Sequence, residues 1–531
     1  MDGAHYTIFW LFMTQRSIRL PLLRGSSRAA SIFRITLVLF LGALAVPLVE
    51  RSLFWIADLM AYPYPADGLE GTLLSQADLL WNGQPLYQPF ELYRFVSSPY
   101  PLWHPLILGL ANQVTGQHAF WSGRVVSLVA AFGVLATIAL TVRVISRSWL
   151  AALLSAALML GFPPLVLWAT RIKPDMYALL WTALGLLAAT WAITPPNEGG
   201  RKTGRARLST VLSITLSAVC FALAFFTKQT ALAGPLAAGL AFVIDDLQTW
   251  RTGQHRRLVF SPRTWLFGAS YASIVSVTWL LLDVWSSGQF TFHIWTQHRN
   301  ALWTQDLMLK FVALLAYTWP LVLLGLGALV LAWREPRARV VACYALIAPL
   351  TLYGAGKTGA NHNHLLETLL ALTLAGGIVF GWGMQHLARR PLLASAAIGV
   401  FAVQLALAFS PPAWYEGELV LSGTPERFTT FIETVPGEVL ADDPGLLYML
   451  GRPLRYDDPS GIGPVAHSGL WDQRGLIDDI TQQRFGAILI PVDVEIDTID
   501  PSGRWTPEMI AAIKANYTVL YRDTTMVYVP K

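Results

Sequence analysis

Apolar stretches of about 20 residues recur between residues 33 and 409 of this chain. A helix needs about 20 predominantly apolar residues to cross the ~30 Å hydrocarbon core of a membrane. Hydrophobic residues make up 54% of the chain and charged residues only 13%, whereas soluble domains carry about 25% charged residues. The sequence therefore predicts an α-helical polytopic membrane protein.

Eleven transmembrane spans are predicted, at 33–54, 120–142, 149–168, 174–193, 208–226, 229–247, 264–284, 308–332, 340–354, 365–385 and 392–409. The Arg-rich stretch 16–34 leads directly into the first span, so we expect no cleavable signal and assign residues 1–32 to a cytoplasmic basic segment. Both cysteines, Cys220 and Cys343, fall inside apolar stretches, and a disulfide framework is not expected. The formal net charge is only +5, and we expect membrane lipid and no nucleic acid as a partner.

Basic residues fix the predicted orientation, because cytoplasmic loops carry the excess of Lys and Arg. With eleven spans the basic loops all fall on the side of the N-terminus; they contain Arg143, Arg147, Arg201, Lys202, Arg205, Arg207, Arg251, Arg256, Arg257, Arg334, Arg337, Arg339, Arg389 and Arg390. A span at 101–115 would reverse this pattern, so we interpret that segment as an interfacial helix. The prediction is a plasma-membrane protein with its N-terminus inside and its C-terminal domain outside.

Two large regions are predicted on the outer side. The first outer loop covers 55–119, within a transmembrane domain of 33–410. Residues 411–531 regain a soluble composition, with strand-like runs at 438–442, 485–490, 517–521 and 526–530 between helical stretches. That alternation predicts a small extracytoplasmic α/β domain. It contains no Gly-rich phosphate loop and no His/Cys cluster with metal spacing, so we place no catalytic group in it.

Two carboxylates, Asp67 and Glu70, lie three residues apart near the outer end of the first span. Residues at this spacing share one side of a helix. Either could act as a general base that takes a proton from an acceptor hydroxyl or amine. The alternative is a solvated loop with an Asp-Gly turn and a helix-capping acid.

Basic residues are predicted at matching depth in the outer turns. They are Arg124, Arg171 and Lys173 (with Asp175 in the same turn), Lys228, Lys357, His362 and His364. Charges near hydrocarbon are expensive and usually have a partner or a role, and converging Arg and Lys side chains suit a lipid phosphate. Each also has a structural alternative: Arg171 pairing with Asp175, Lys228 reaching to the interface, or a histidine capping a turn.

The motifs around these residues, in this order, resemble the GT-C superfamily of polyprenyl-phosphate-sugar-dependent glycosyltransferases. The similarity covers about residues 30–410 and is closest to bacterial relatives of protein O-mannosyltransferases, lipid A aminoarabinose transferases and lipopolysaccharide-modifying glycosyltransferases. The matching segments are Asp67-Gly-Leu-Glu70 followed by Ala77, Gly83 and Tyr87; Pro99-Tyr-Pro-Leu-Trp-His104-Pro105-Leu106; Ser122-Gly-Arg124-Val-Val-Ser127; Arg171-Ile-Lys-Pro-Asp175; Phe226-Thr-Lys228-Gln; and Lys357 to Glu367. The family's acids are usually adjacent, whereas Gly68 and Leu69 separate them here.

This resemblance implies an inverting glycosyltransferase that moves a sugar from a polyprenyl-phosphate donor to a lipid, glycan or protein acceptor. It assigns the base to Asp67 or Glu70, donor phosphate binding to Arg124, Lys228, Arg171 and Lys357, and substrate-binding or supporting roles to His104, Asp175, His362 and His364. No cofactor is implied, while a divalent cation held by Asp67 and Glu70 stays open.

Two other functions compete with the transferase. A transporter or flippase predicts internal repeats, broken helices and ionisable groups at mid-membrane. A membrane scaffold or receptor predicts outer charges that point in unrelated directions. The transferase predicts that Asp67, Glu70, Arg124 and Lys228 converge on one cavity beside a lipid-accessible groove.

Overall fold

The computed structural model describes residues 28–116, 119–193, 204–251, 260–298, 303–357, 359–409 and 424–531. Most of the predicted segment 1–32, together with Arg201, Lys202, Arg256 and Arg257, lies outside these ranges. The domain boundary predicted at residue 411 also lies outside them.

A bundle of long apolar helices forms the larger part of the molecule. Helices α1 to α15 cover, in chain order, Arg28–Ala61, Glu70–Trp81, Trp103–Thr115, Ala119–Ser146, Trp149–Leu160, Pro163–Ala169, Asp175–Ala192, Gly204–Thr227, Ala233–Arg251, Pro262–Trp285, Gln305–Ala313, Trp319–Ala332, Ala338–Ile347, Leu366–His386 and Pro391–Phe409. Shorter helical turns lie at Gln289–Thr291, Phe292–Thr296, Ala316–Thr318, Ala348–Gly356 and His362–Leu365.

Within the described ranges, seven helices are long and apolar enough to span a membrane, or up to nine if each of two bent helix pairs is one span. Helices α5 and α6 meet at 72°; Pro163 begins α6 and holds Phe162 in an extended conformation, as a proline does to the residue before it. The predicted spans 174–193 and 229–247 coincide with α7 and α9, which are not among the seven. The chain is a multi-pass membrane protein, and the count of eleven spans stays a prediction.

The short helix predicted at 101–115 is present as α3. Its 13 residues extend about 20 Å at 1.5 Å per residue, too short for the ~30 Å of hydrocarbon. It packs closely on α2, because a Cβ atom on Gly109 would lie 1.4 Å from Nε1 of Trp81. The first loop therefore carries two helices, α2 and α3, that pack against each other.

A buried network of ion pairs lies at the end of the bundle opposite the first loop. Arg339, at the start of α13, bonds to Asp245 of α9. Arg263 of α10 bonds to Asp245 and lies 3.5 Å from Asp246. The backbone N–H of Ser261 donates to Asp246 at 2.9 Å. These contacts join three helices away from the site described below.

The four predicted strands form one sheet in the C-terminal domain. They are β1 (Glu438–Ala441), β2 (Phe485–Ile490), β3 (Tyr517–Tyr521) and β4 (Met526–Pro530), in the order β1-β2-β4-β3. Strands β1 and β2 are parallel and the other neighbours antiparallel. Helices α16 to α20 accompany the sheet at Thr424–Thr434, Pro444–Met449, Pro459–His467, Arg474–Thr481 and Pro507–Asn516. The predicted α/β composition is confirmed.

The C-terminal domain packs on the first loop. Phe95 forms a parallel bridge with Tyr456 and belongs to the domain's hydrophobic core. The indole N–H of Trp471 donates to the carbonyl of Glu91 at 2.7 Å. The hydroxyl of Tyr448 donates to Asp78 of α2 at 2.7 Å. The loop and the domain therefore share one packed unit, which lies over the loop end of the bundle.

Candidate active site

The acidic turn of the first loop is held by its own backbone. The N–H of Leu69 donates to Asp67 Oδ1 at 3.0 Å, and the N–H of Glu70 donates to the Asp67 carbonyl at 2.9 Å. Glu70 is the first residue of α2, where the helix dipole favours a negative charge. The two acids therefore occupy different environments, one in the turn and one in the helix.

Both carboxylate oxygens of Glu70 have hydrogen-bond partners. Its side chain is 0% exposed and lies 3.0 Å from a guanidinium nitrogen of Arg124, which is 1% exposed. Glu70 Oε2 also accepts from the N–H of Ala66 at 2.9 Å, and Oε1 accepts from the N–H of Ile172 at 2.9 Å. Both oxygens thus tie α2 to the loop before it and to the turn after α6.

Arg124 holds the segment before the acidic turn. Its guanidinium donates to the carbonyl of Tyr64 at 2.6 Å and to the carbonyl of Tyr62, in addition to Glu70. The sequence predicts Arg124 as a donor phosphate ligand. In the structure its two terminal nitrogens are directed at this loop.

Asp67 lies between two cations of the 171–175 turn. Its Oδ1 is 2.6 Å from Lys173 Nζ, and its Oδ2 is 3.9 Å from Arg171 Nη1. Although burial acts to raise it, the two cations and hydrogen bonds lower the pKa of Asp67 to about 2. Asp67 is therefore ionised at neutral pH, and its side chain keeps 13% exposure.

Asp175 connects this turn to the two later turns. It forms an ion pair with Lys228, and the side-chain amide of Asn363 donates to it at 2.9 Å. Asp175 begins α7, Lys228 follows α8, and Asn363 belongs to the His362–Leu365 turn. Arg171 lies 3.9 Å from Asp67, and its guanidinium stacks 5.1 Å from the centre of the Trp168 ring.

The remaining predicted residues surround these ion pairs. His104 is buried with its ring 5.9 Å from Tyr100 and 5.4 Å from Tyr177. Burial lowers the pKa of His104 to about 3, in the field of Asp175 and Lys173, so its imidazole is neutral. His104 is the second residue of α3.

Lys357, His362 and His364 have separate surroundings. Lys357 is exposed and forms a backbone bridge with Trp303. The ring of His362 packs edge-on against Trp168 and Phe311 at 6.2 and 5.5 Å. His364 lies against Gly354, where an added Cβ would be 2.9 Å from the imidazole.

Lys173 was predicted only as one of the basic residues of the turns, without a specific role. Two further residues, Asn363 and Asp443, lie outside the predicted set. Asn363 stands between the two predicted histidines, and a neutral amide attracts no attention in a sequence. Asp443 follows β1 of the C-terminal domain, and the negative charges of Asp67 and Glu70 act on its carboxyl group. No local sequence pattern connects Asp443 to the first loop.

Among the described residues, no group of three or more His, Cys, Asp or Glu side chains is arranged to hold a metal ion. Asp67 and Glu70 instead have cationic and backbone N–H partners.

The fold is similar to that of solved structures over most of the chain. ArnT from Cupriavidus metallidurans bound to undecaprenyl phosphate has 14% identity and a TM-score of 0.55, over 91% of this chain and 97% of that chain. The same protein in the apo state has 14% identity and a TM-score of 0.54, over 94% and 98%. The chain has the GT-C fold.

A second GT-C protein has a similar architecture. The archaeal oligosaccharyltransferase AglB from Archaeoglobus fulgidus, in complex with an inhibitory peptide and a dolichol-phosphate, has 12% identity and a TM-score of 0.51, over 95% of this chain and 75% of that chain. Neither the protein-family models nor the sequences of curated proteins give a match. The similarity to the GT-C structures establishes the fold, and function has to be argued from the site.

Proposed function

We propose that this GT-C protein is an inverting glycosyltransferase that moves a sugar from a polyprenyl-phosphate donor to an acceptor at the outer face of the cytoplasmic membrane. The observation that carries the proposal is the pairing of an ionised carboxylate, Asp67, with Lys173 and Arg171, in a turn whose Asp175 pairs with Lys228 of a second turn. Lipid phosphates are bound in solved GT-C structures, undecaprenyl phosphate in ArnT and dolichol-phosphate in AglB.

Lys228, Arg171 and Lys357 are the donor phosphate ligands in this proposal. Lys228 is 14% exposed and has only a carboxylate, Asp175, as its ion-pair partner within the described ranges, so its ammonium can also face a phosphate. Cations at this position stabilise the charge that grows on the phosphate as it leaves. Asp175 and Asn363 would hold Lys228 in place.

Arg124 has a different role in the proposal. Its terminal nitrogens already bind two loop carbonyls and Glu70. We therefore assign Arg124 and Glu70 to positioning the acidic turn, and the reaction's base to Asp67. This choice follows from the contacts, because both oxygens of Glu70 are occupied.

The chemistry can be written on these residues. The acceptor's hydroxyl or amine attacks the anomeric carbon on the face opposite the phosphate, and its proton passes to the Asp67 carboxylate. The bond between the anomeric carbon and the phosphate oxygen breaks, and its electron pair leaves with the phosphate. Attack from the opposite face inverts the anomeric centre.

An apolar groove suits the donor's isoprenoid chain. It encloses about 430 Å³ between α11, α12, α13 and α14 and is lined mainly by apolar side chains, among them Leu315, Trp319, Leu326, Leu346 and Leu372. Leu352 and Thr368 close its wall near the 357–364 turn. A lipid tail there would place its phosphate towards Lys357.

The test combines native mass spectrometry with a transfer assay on the full-length protein in detergent. We expect a polyprenyl-phosphate species to bind, to be lost in Lys228→Ala, and to be retained in the control Lys310→Ala, an exposed lysine of α11. The headgroup mass would identify the sugar. Candidate lipid, glycan and peptide acceptors then test transfer, which Asp67→Asn should abolish.

Two results would contradict the proposal. One is binding of ordinary phospholipid only, unchanged by Lys228→Ala and by added polyprenyl-phosphate sugars. The other is movement of an intact lipid-linked sugar across the membrane of proteoliposomes without transfer of the sugar to an acceptor, which would favour a flippase.

A further inference from the structure

The parallel pair of strands in the C-terminal domain points its carboxyl ends at the acidic turn. Asp442 and Asp443 directly follow β1, which pairs in parallel with β2. Ligands of open α/β sheets bind outside the carboxyl ends of parallel strands. The short loop after β1 is therefore the part of this domain where a ligand-binding side chain is expected.

This loop is in direct contact with the residues around Asp67. A Cβ atom on Gly71 would lie 2.4 Å from Gly445 Cα, and one on Gly445 would lie 2.6 Å from the Pro65 side chain. A Cβ on Gly68 would be 3.9 Å from the Asp442 carbonyl oxygen. Glycines at Gly71 and Gly445 allow the backbone of the loop after β1 to pack directly against the backbone around the acidic turn.

Asp443 differs from the other acids nearby in its partners. Its Oδ1 accepts from the N–H of Gly445 at 2.8 Å, and its side chain is only partly buried. Its neighbour Asp442 is 2.7 Å from Arg504 and also accepts from Trp505. Among the described residues, Asp67 and Glu70 each form an ion pair with a cation, whereas Asp443 forms none. Asp443 therefore keeps an oxygen for a ligand.

Charged and titratable groups face Asp443 from two sides. They are Tyr62, Asp67 and Glu70 from the first loop and α2, and Asp442 from its own loop. Arg124 partly neutralises the charge of Glu70, and Lys173 and Arg171 partly neutralise the charge of Asp67. Burial and the three neighbouring carboxylates raise the pKa of Asp443 to about 7. A general base works best when its pKa is near the working pH.

We propose that Asp443 completes the acceptor subsite: Asp67 takes the proton of the acceptor's nucleophilic O–H or N–H, and the carboxylate of Asp443 receives that proton from Asp67. The inference rests on the proposed function. Asp67, with its low pKa, holds a proton poorly, so the proton moves on to the carboxylate of higher proton affinity and then to water. The C-terminal domain is thereby part of the reaction site.

The proposal gives a specific pH dependence. Asp443 acts only as a carboxylate, so transfer falls as the pH drops through about 7. Asp443→Asn retains an oxygen that can accept from Gly445 but cannot take a proton. We expect this variant to lower kcat/KM for the acceptor about 100-fold at pH 8, to lose the pH dependence near 7, and to leave the donor KM unchanged.

Controls separate the possible outcomes. Asp442→Asn removes a charge from the same loop and should keep a pH-dependent transfer, with a midpoint below that of wild type because one carboxylate that raises the pKa of Asp443 is gone. Asp443→Glu should restore part of the pH dependence if Asp443→Asn folds poorly. The inference is overturned if wild type transfers sugar while Asp443→Asn and Asp443→Glu both keep its acceptor KM and its pH profile. A wild type without any transfer overturns the proposed function, and the inference with it.

Discussion

The buried pair of Glu70 and Arg124 offers a direct test of whether Arg124 binds phosphate or positions the loop. The variants are Glu70→Gln, Arg124→Met and the double substitution. Glutamine keeps the size of Glu70 but removes its charge, and its NH2 group faces an N–H donor at either oxygen position, because Oε2 accepts from Arg124 and Ala66 and Oε1 accepts from Ile172. Methionine removes the cation and both bonds to the carbonyls of Tyr62 and Tyr64.

The magnitude follows from burial. Both side chains are at most 1% exposed and lie 3.0 Å apart. Removing one partner of a buried ion pair leaves an uncompensated buried charge, at a cost of about 3–5 kcal/mol in the free energy of unfolding. Because the double variant leaves no such charge, we expect its loss to be smaller than the sum of the single losses by about 2–3 kcal/mol.

The assay is thermal unfolding of the detergent-purified variants, together with the donor KM in the transfer reaction. A positioning role predicts coupled losses of stability in both single variants and a small change in donor KM. Additive stability losses with a donor KM raised in Arg124→Met alone would refute this reasoning and return Arg124 to the phosphate site that the sequence predicts.

Other predictions concern the neighbouring contacts. Lys173→Met should raise the pKa of Asp67 from about 2 towards 3.8. Because the ion pair stabilises the fold above pH 3.8 and this stabilisation is lost as the pH falls through 2, the variant should lose about 1–2 kcal/mol of unfolding free energy at pH 7. Thermal unfolding measured against pH is the assay, and an unchanged stability at neutral pH would count against the ion pair. Gly71→Ala should separate the C-terminal domain from the first loop, because the new Cβ meets Gly445 Cα at 2.4 Å; faster proteolysis of the domain is the readout, and unchanged proteolysis would contradict it. Asp245→Asn should cost about 3 kcal/mol in stability while donor and acceptor KM stay at wild-type values, and a changed KM would show that the opposite end is coupled to the site.

The helical part of the fold was predictable because solvation by lipid depends on local composition. A run of apolar residues such as 120–142 forms a helix whatever its neighbours are, since every backbone group must bond internally in hydrocarbon. The short helix at 101–115 was also predictable. The bend of 72° between α5 and α6 was missed, although Pro163 and Pro164 marked a boundary.

The candidate site was predictable as a set of residues. Arg171 and Lys228 were selected because charged groups beside hydrocarbon are rarely without a partner, and Asp67 because it lies three residues from Glu70. In the structure Arg171 lies near Asp67, and Lys228 pairs with Asp175. Their pairing was not predictable. Asp67 pairs with Lys173, which received no specific predicted role, and Asp175 pairs with Lys228 from a distant turn.

The sequence by itself determined that this chain has many membrane helices, a polar first loop, an α/β domain and a group of charges in the turns. Each of these is a property of local composition and spacing. Only the tertiary structure decided that Glu70 and Arg124 are enclosed together and that Asp443 reaches the acidic turn. Those contacts join segments far apart in the chain, and they depend on how helices and sheet pack, because an ion pair forms only where folding brings two charges within a few ångströms.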